Sequence, residues 1–210
     1  MATELEIANG ALSLLGEGLI TSGQLATPDD KKSRLIATFL TLSRKAFLRD
    51  CAPNCARAYA DLTSAGVQEH PDHAYTWVLP ADNLRVLTVF AGLSSSSSDF
   101  AQGRPVITRW RILNGAEIAL DEAEASIEYV RNAATTTFDP LADDALIAYL
   151  AWRMALSLTE STTKRSQMEE NYAVAKALLK GSDEQEGDRD TFRDASRLQT
   201  ARHGTNFGSW

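Results

Sequence analysis

Residues 141 to 158, LADDALIAYLAWRMALSL, place the tightest constraint on the fold. Leu146, Ile147, Leu150, Trp152, Met154 and Leu156 put apolar side chains nearly all round a helix. A helix of that kind cannot lie on a surface, because other elements must cover its sides. Phe138-Asp139-Pro140 precedes it, with Asp139 suited to cap and Pro140 to open the first turn. The segment is read as a central, mostly buried helix.

Three further helices are expected around it. Leu5, Ala8, Leu12 and Leu15 recur at spacings of three and four, and Gly16 and Gly18 end that run. Thr27-Pro28-Asp29-Asp30 reads as a helix start, with Thr27 as cap and Pro28 in the first turn. Leu35, Phe39, Leu42 and Ala46 continue one apolar face to about Asp50. From about Thr163, Met168, Tyr172, Ala175 and Leu179 share a face. The adjacent acid pairs Asp29-Asp30 and Asp143-Asp144 suit solvated first turns of helices.

Between the second and third of these helices the period shifts from 3.6 to 2. YTWVLPADNLRVLTVF (75–90) has two strand-like runs flanking Pro80-Ala81-Asp82-Asn83. Val106, Thr108, Trp110 and Ile112 alternate with their neighbours, and Asn114-Gly115 follows, a strong hairpin signal. ASIEYVR (125–131) supplies another strand, and the serines 94–98 read as a loop tip. The fold expected is mainly α: a four-helix bundle with a small antiparallel β-sheet inserted between helices 2 and 3. The bundle spans 1–180, with the β lobe at about 74–132. Residues 181–210 form an extended C-terminal arm, because that stretch is too polar and acidic to pack by itself.

The chain of 210 residues has a formal net charge of −7, which argues against a DNA-reading surface, since phosphate binding relies on cationic groups. No apolar run approaches the roughly 18 residues of a membrane span. The start MATELEIANG carries acids where a signal peptide needs basic residues, so synthesis in a reducing cytoplasm is expected.

Catalytic chemistry finds little purchase. G-x-S-x-G, the G-K-[ST] end of a P-loop and a helix-opening G-x-G-x-x-G are all missing. Cys51, Cys55, His70 and His73 loosely resemble a zinc set, but the His pair is one residue too close and Pro53 separates the cysteines. They are read as buried thiols and loop histidines, so no metal, cofactor or enzymatic activity is expected.

Tyr75-x-Trp77-x-Leu79-Pro80-x-Asp82-x-Leu84-Arg85-Val86-Leu87 resembles the strand pair of phage head-to-tail connector (adaptor) proteins of the tail tubular protein A type. ELEIANGALSLLGEGLITS is similar to that family's first helix and glycine stop, and the order of elements to Phe138-Asp139-Pro140-Leu141 matches. The resemblance covers about residues 4–180. It implies a structural virion protein whose ring, typically a dodecamer, sits below the portal at the capsid vertex and extends the DNA channel. The implied partners are the portal protein, the tail nozzle protein and other copies of the chain, with DNA passing unbound. A cytosolic helical protein-binding module is the alternative.

Two sets of contact residues follow. The arm's Arg189, Arg193 and Arg197 recur every four residues beside Phe192 and Leu198, with Arg202, Phe207 and Trp210 beyond. They are the expected portal contacts, because aromatics can fill pockets while arginines pair with carboxylates. Trp77, Trp110, Asn114 and Gly115 are the expected contacts with the tail or a neighbouring copy, the tryptophans packing the sheet against the bundle or that neighbour.

Overall fold

The computed structural model describes residues 2–64, 71–93 and 105–186. Among the described residues five α-helices and seven strands occur. The helices are α1 (Glu4–Leu15), α2 (Ser22–Ala26), α3 (Lys31–Cys51), α4 (Pro140–Thr159) and α5 (Thr162–Glu186). The strands are β1 (Arg57–Asp61), β2 (Thr63–Ser64), β3 (Tyr75–Val78), β4 (Asn83–Ala91), β5 (Trp110–Leu113), β6 (Glu117–Leu120) and β7 (Ala125–Arg131). They form two antiparallel sheets, ordered β1-β7-β4 and β2-β3-β6-β5. This corrects the expected four-helix bundle with one inserted sheet.

Each discrepancy has a local cause. Thr27 does not start the second long helix; it closes the short α2, which Thr21 and Gln24 open through a capping box. Asp30 caps α3 instead, its Oδ1 accepting from the Ser33 amide at 2.7 Å. The arm boundary at 180 falls inside α5, which runs to Glu186. Asp183 accepts from the Asn54 amide at 3.2 Å, and its carbonyl from the Asn54 side chain at 3.0 Å. That acid therefore docks the last turns of α5 on the body rather than joining a polar arm. Asp143 likewise leaves the expected solvated turn: it is 6% exposed and accepts from the Ala2 amide at 2.9 Å.

The strands flanking Pro80-Asn83 do not pair with each other. β3 lies in the four-stranded sheet and β4 in the three-stranded one, so Leu79–Asp82 carries the chain between layers. Asp82 fixes that crossing, its carbonyl accepting from the Asn132 amide at 2.7 Å and its Oδ1 from the Tyr129 hydroxyl at 3.2 Å. Two register shifts in β4, at Asn83/Arg85 and Val86/Thr88, explain why its apolar residues do not keep a strict period of two. They let Leu84 and Leu87 pack with the helices while Val86 and Val89 pack with the other sheet.

The result is three layers: helices, the β1-β7-β4 sheet, then the β2-β3-β6-β5 sheet. β7 serves both cores, with Val130 in the helical one and Ile127 and Tyr129 between the sheets. Other readings hold in detail. Asp139 Oδ1 accepts from the Ala142 amide at 2.8 Å and Pro140 opens α4. Asn114 and Gly115 take φ of 50° and 73° between β5 and β6, the left-handed pair that an Asn-Gly turn supplies.

Candidate functional site

Helix α4 is lined on three sides. α1 closes on it through Gly10, where a Cβ would stand 2.9 Å from the Ile147 Cδ1. α1 is tied to α3 by Arg44 and Glu4 at 2.8 Å. α3 is tied to α5 through Asp50, which pairs with Lys176 and accepts from the Tyr172 hydroxyl at 3.2 Å. The Cys51 sulfur lies 3.6 Å from the same hydroxyl. Trp152 stacks on Tyr172 with centroids 5.9 Å apart, locking α4 to α5.

Among the described residues the fourth side is only partly covered. Between α1 and α5 lies a groove of about 520 Å³ whose floor is Leu141, Ile147 and Ala148 of α4. Leu14 stands on one wall, and Val174 and Leu178 on the other, 40%, 62% and 60% exposed. Among the described residues Asp144, at the rim, is the one ionisable side chain in its lining. A rigid apolar surface with a single carboxylate suits the burial of a partner's apolar ridge.

A second cleft, of about 310 Å³, lies where Val106–Arg109 meets Asp121. Asp121 accepts from the Ala74 amide at 3.2 Å and lies 3.3 Å from His73 Nδ1 and 4.0 Å from Arg109. These contacts tether the segment leading into β3, so the histidine expected in a loop is held as an anchor.

The cysteines do not offer thiolates. Burial pushes the Cys51 thiol up, and burial pushes Cys55 up to about 11, so both stay protonated at neutral pH. Among the described residues no cluster of three His, Cys, Asp or Glu side chains could hold a metal ion; His70 lies outside them. No described helix is long and apolar enough to cross a membrane.

The expected contact residues separate. Trp77 is 8% exposed and sits between the two sheets, where the tryptophans were expected to pack sheet against bundle or neighbour. Trp110 is partly buried against the same inter-sheet core, whereas Asn114 and Gly115 are exposed at a hairpin tip. Arg189, Phe192, Arg193, Arg197, Leu198, Arg202, Phe207 and Trp210 lie outside the described residues. The groove itself was missed. Its signal was present, since a helix apolar nearly all round needs cover on every side and Leu14, Val174 and Leu178 fall off the assigned faces.

The Asp50–Lys176 contact that fixes the far wall makes a pH-dependent prediction. The hydrogen bond from Lys176 holds Asp50 below the usual carboxylate range, and the same bond raises Lys176. Stability from Asp50 is present above its unfolded value, about 3.9, and lost as pH falls through its depressed folded value. Stability from Lys176 is present below about 10.4 and lost as pH rises through its raised one. Asp50 is 55% exposed in its side chain, so solvent screening keeps the pair to about 0.5–1 kcal/mol. Urea unfolding should show Asp50→Asn destabilised by that amount at neutral pH, the gap closing in strong acid. A gap unchanged in acid would contradict the ion pair.

No protein-family model matches the chain, and no curated protein matches it.

Proposed function

We propose that the chain is a structural virion protein, a head-to-tail connector subunit that docks below a phage portal, extends the DNA channel and presents a surface to the tail. The observation that carries this reading is the apolar groove over α4, between α1 and α5. An apolar groove whose walls leave Leu14, Val174 and Leu178 exposed, with one carboxylate at its edge among the described residues, suits contact between proteins. The resemblance of the 75–87 stretch and the order of elements around it support the same assignment. The formal charge of −7 suits a channel that lets DNA slide, because an acidic surface repels phosphate.

In this reading the partners are the portal protein, the tail nozzle protein and further copies in a ring, with the segment 186–210 reaching the portal. The protein is made in the host cytoplasm and ends at the capsid vertex. The helical core is complete enough for a free subunit to fold alone, and the portal's symmetry then raises the local concentration of copies.

The test is to mix the purified protein with portal protein from the same virus. Sedimentation and negative-stain electron microscopy should show monomers alone and a closed ring on the portal. A protein that stays monomeric beside assembled portals sinks the connector assignment and favours a cytosolic helical binding module.

A further inference from the structure

We propose that the groove over α4 receives the exposed ridge of α3 from a second copy, so that copies join head to tail. This names the self-contact of the connector reading and rests on it. The need for a cover comes from the groove walls, where Leu14, Val174 and Leu178 stay exposed among the described residues.

The choice of α3 comes from charge and shape. In a chain of net −7, α3 carries Lys31, Lys32, Arg34, Arg44, Lys45 and Arg49 against the single acid Asp50. Lys32 and Arg44 are used internally, against Glu17 and Glu4. Lys31, Arg34, Thr38, Leu42, Lys45 and Arg49 form one exposed stripe at helical spacing, with Arg34 and Arg49 donating to the Asp29 and Leu84 carbonyls and Lys31 4.0 Å from Glu160. Leu42, 56% exposed, stands at its middle as an apolar knob among cations.

The groove is the complement. Asp144 lines it, and Glu6 and Glu170 lie one helical turn before Gly10 and Val174 on the same helix faces. Lys164 is the opposing charge, near the Gly16 end. Leu42 would enter between Leu14 and Leu178 while Arg34 and Lys45 meet the acidic rim. Because ridge and groove are different surfaces, the contact is heterologous and closes into a ring if its rotation allows.

Cross-linking with a short bis-maleimide tests this without a portal, in a Cys55→Ser background and at high protein concentration. Leu42→Cys and Leu178→Cys, mixed as separate chains, should give 42–178 heterodimers several-fold above 42–42 or 178–178 pairs, a heterologous contact having no self-pairing. Both substitutions in one chain should give a ladder of oligomers. Adding Val174→Glu should cut cross-linking about tenfold or more, since a carboxylate would enter an apolar contact, with helicity unchanged by circular dichroism. Asp144→Lys should weaken cross-linking and Lys45→Glu on the other chain should restore it.

Dominant 178–178 products, yields no higher than from an exposed Glu122→Cys control, or an intramolecular link between Leu178→Cys and Leu198→Cys would each overturn the proposal. Heterodimers from a protein that ignores portals would leave this interface standing and remove the connector reading. Rings on portals without 42–178 links would do the reverse.

Discussion

Phe47→Ala should destabilise the protein by about 3–5 kcal/mol, the range for deleting a buried aromatic ring. Phe47 is fully buried, with its ring 6.4 Å from Phe138 and 6.3 Å from Tyr149. These three rings join the C-terminal part of α3, the segment leading into α4, and α4 itself. They sit where the chain returns from the sheets to the helices. Neighbouring side chains belong to rigid helices and cannot collapse fully into the space, so a cavity term adds to the lost transfer energy. A domain with only about 5–15 kcal/mol in total would lose a large share of it. Urea unfolding followed by helical circular dichroism should show the midpoint drop, with Phe47→Leu retaining most of the stability. A loss below about 1 kcal/mol would mean that these rings do not fasten α3 to α4 and the segment leading into it.

What the sequence revealed divides by the range of the interaction involved. Caps, apolar faces and the Asn114-Gly115 turn depend on neighbours within a few residues, and Asp139-Pro140 and the α4 pattern were readable for that reason. β1 and β2 were not. Arg57–Asp61 alternates weakly, and its strand exists because Arg57 to Asp61 pair with Val130 to Ser126 of β7. β7 occupies the centre of its sheet through partners that are remote in sequence on both sides. The division into two sheets depends on the same remote pairings, together with bulges that period-2 reading cannot place. Asp143 and Asp183 looked like solvated charges because nothing local shows that Ala2 and Asn54 come to meet them. The groove followed a different course. Its floor was legible as excess apolar surface on one helix, but openness is a property of what fails to cover it, and no local pattern contains that.

Trp77→Ala should produce a loss of similar size, about 3–5 kcal/mol, but confined to one layer. Trp77 lies in the inner strand β3 and fills the core between the sheets with Leu62, Leu79, Ile118 and Ile127. The β2-β3-β6-β5 sheet meets the rest of the protein through that core. By contrast, the β1-β7-β4 sheet is also held from the helical side by Val130, Leu84 and Leu87. Removing the indole should therefore loosen the outer sheet first and leave the helices closed. Native-state hydrogen exchange can read this residue by residue. Amides of β3, β5 and β6 should exchange through a low-energy opening in the mutant while those of α4 keep their protection. The indole Nε1 makes no hydrogen bond among the described residues, so its ring, not its donor, does the work. Trp77→Phe keeps most of the buried area and removes an unsatisfied N–H, so it should cost much less than the alanine variant. Equal loss of protection in α4 and β3 would show that the layers unfold as one unit. In that case the outer sheet could not loosen while the groove over α4 kept its shape, and damage between the sheets would reach the groove as well.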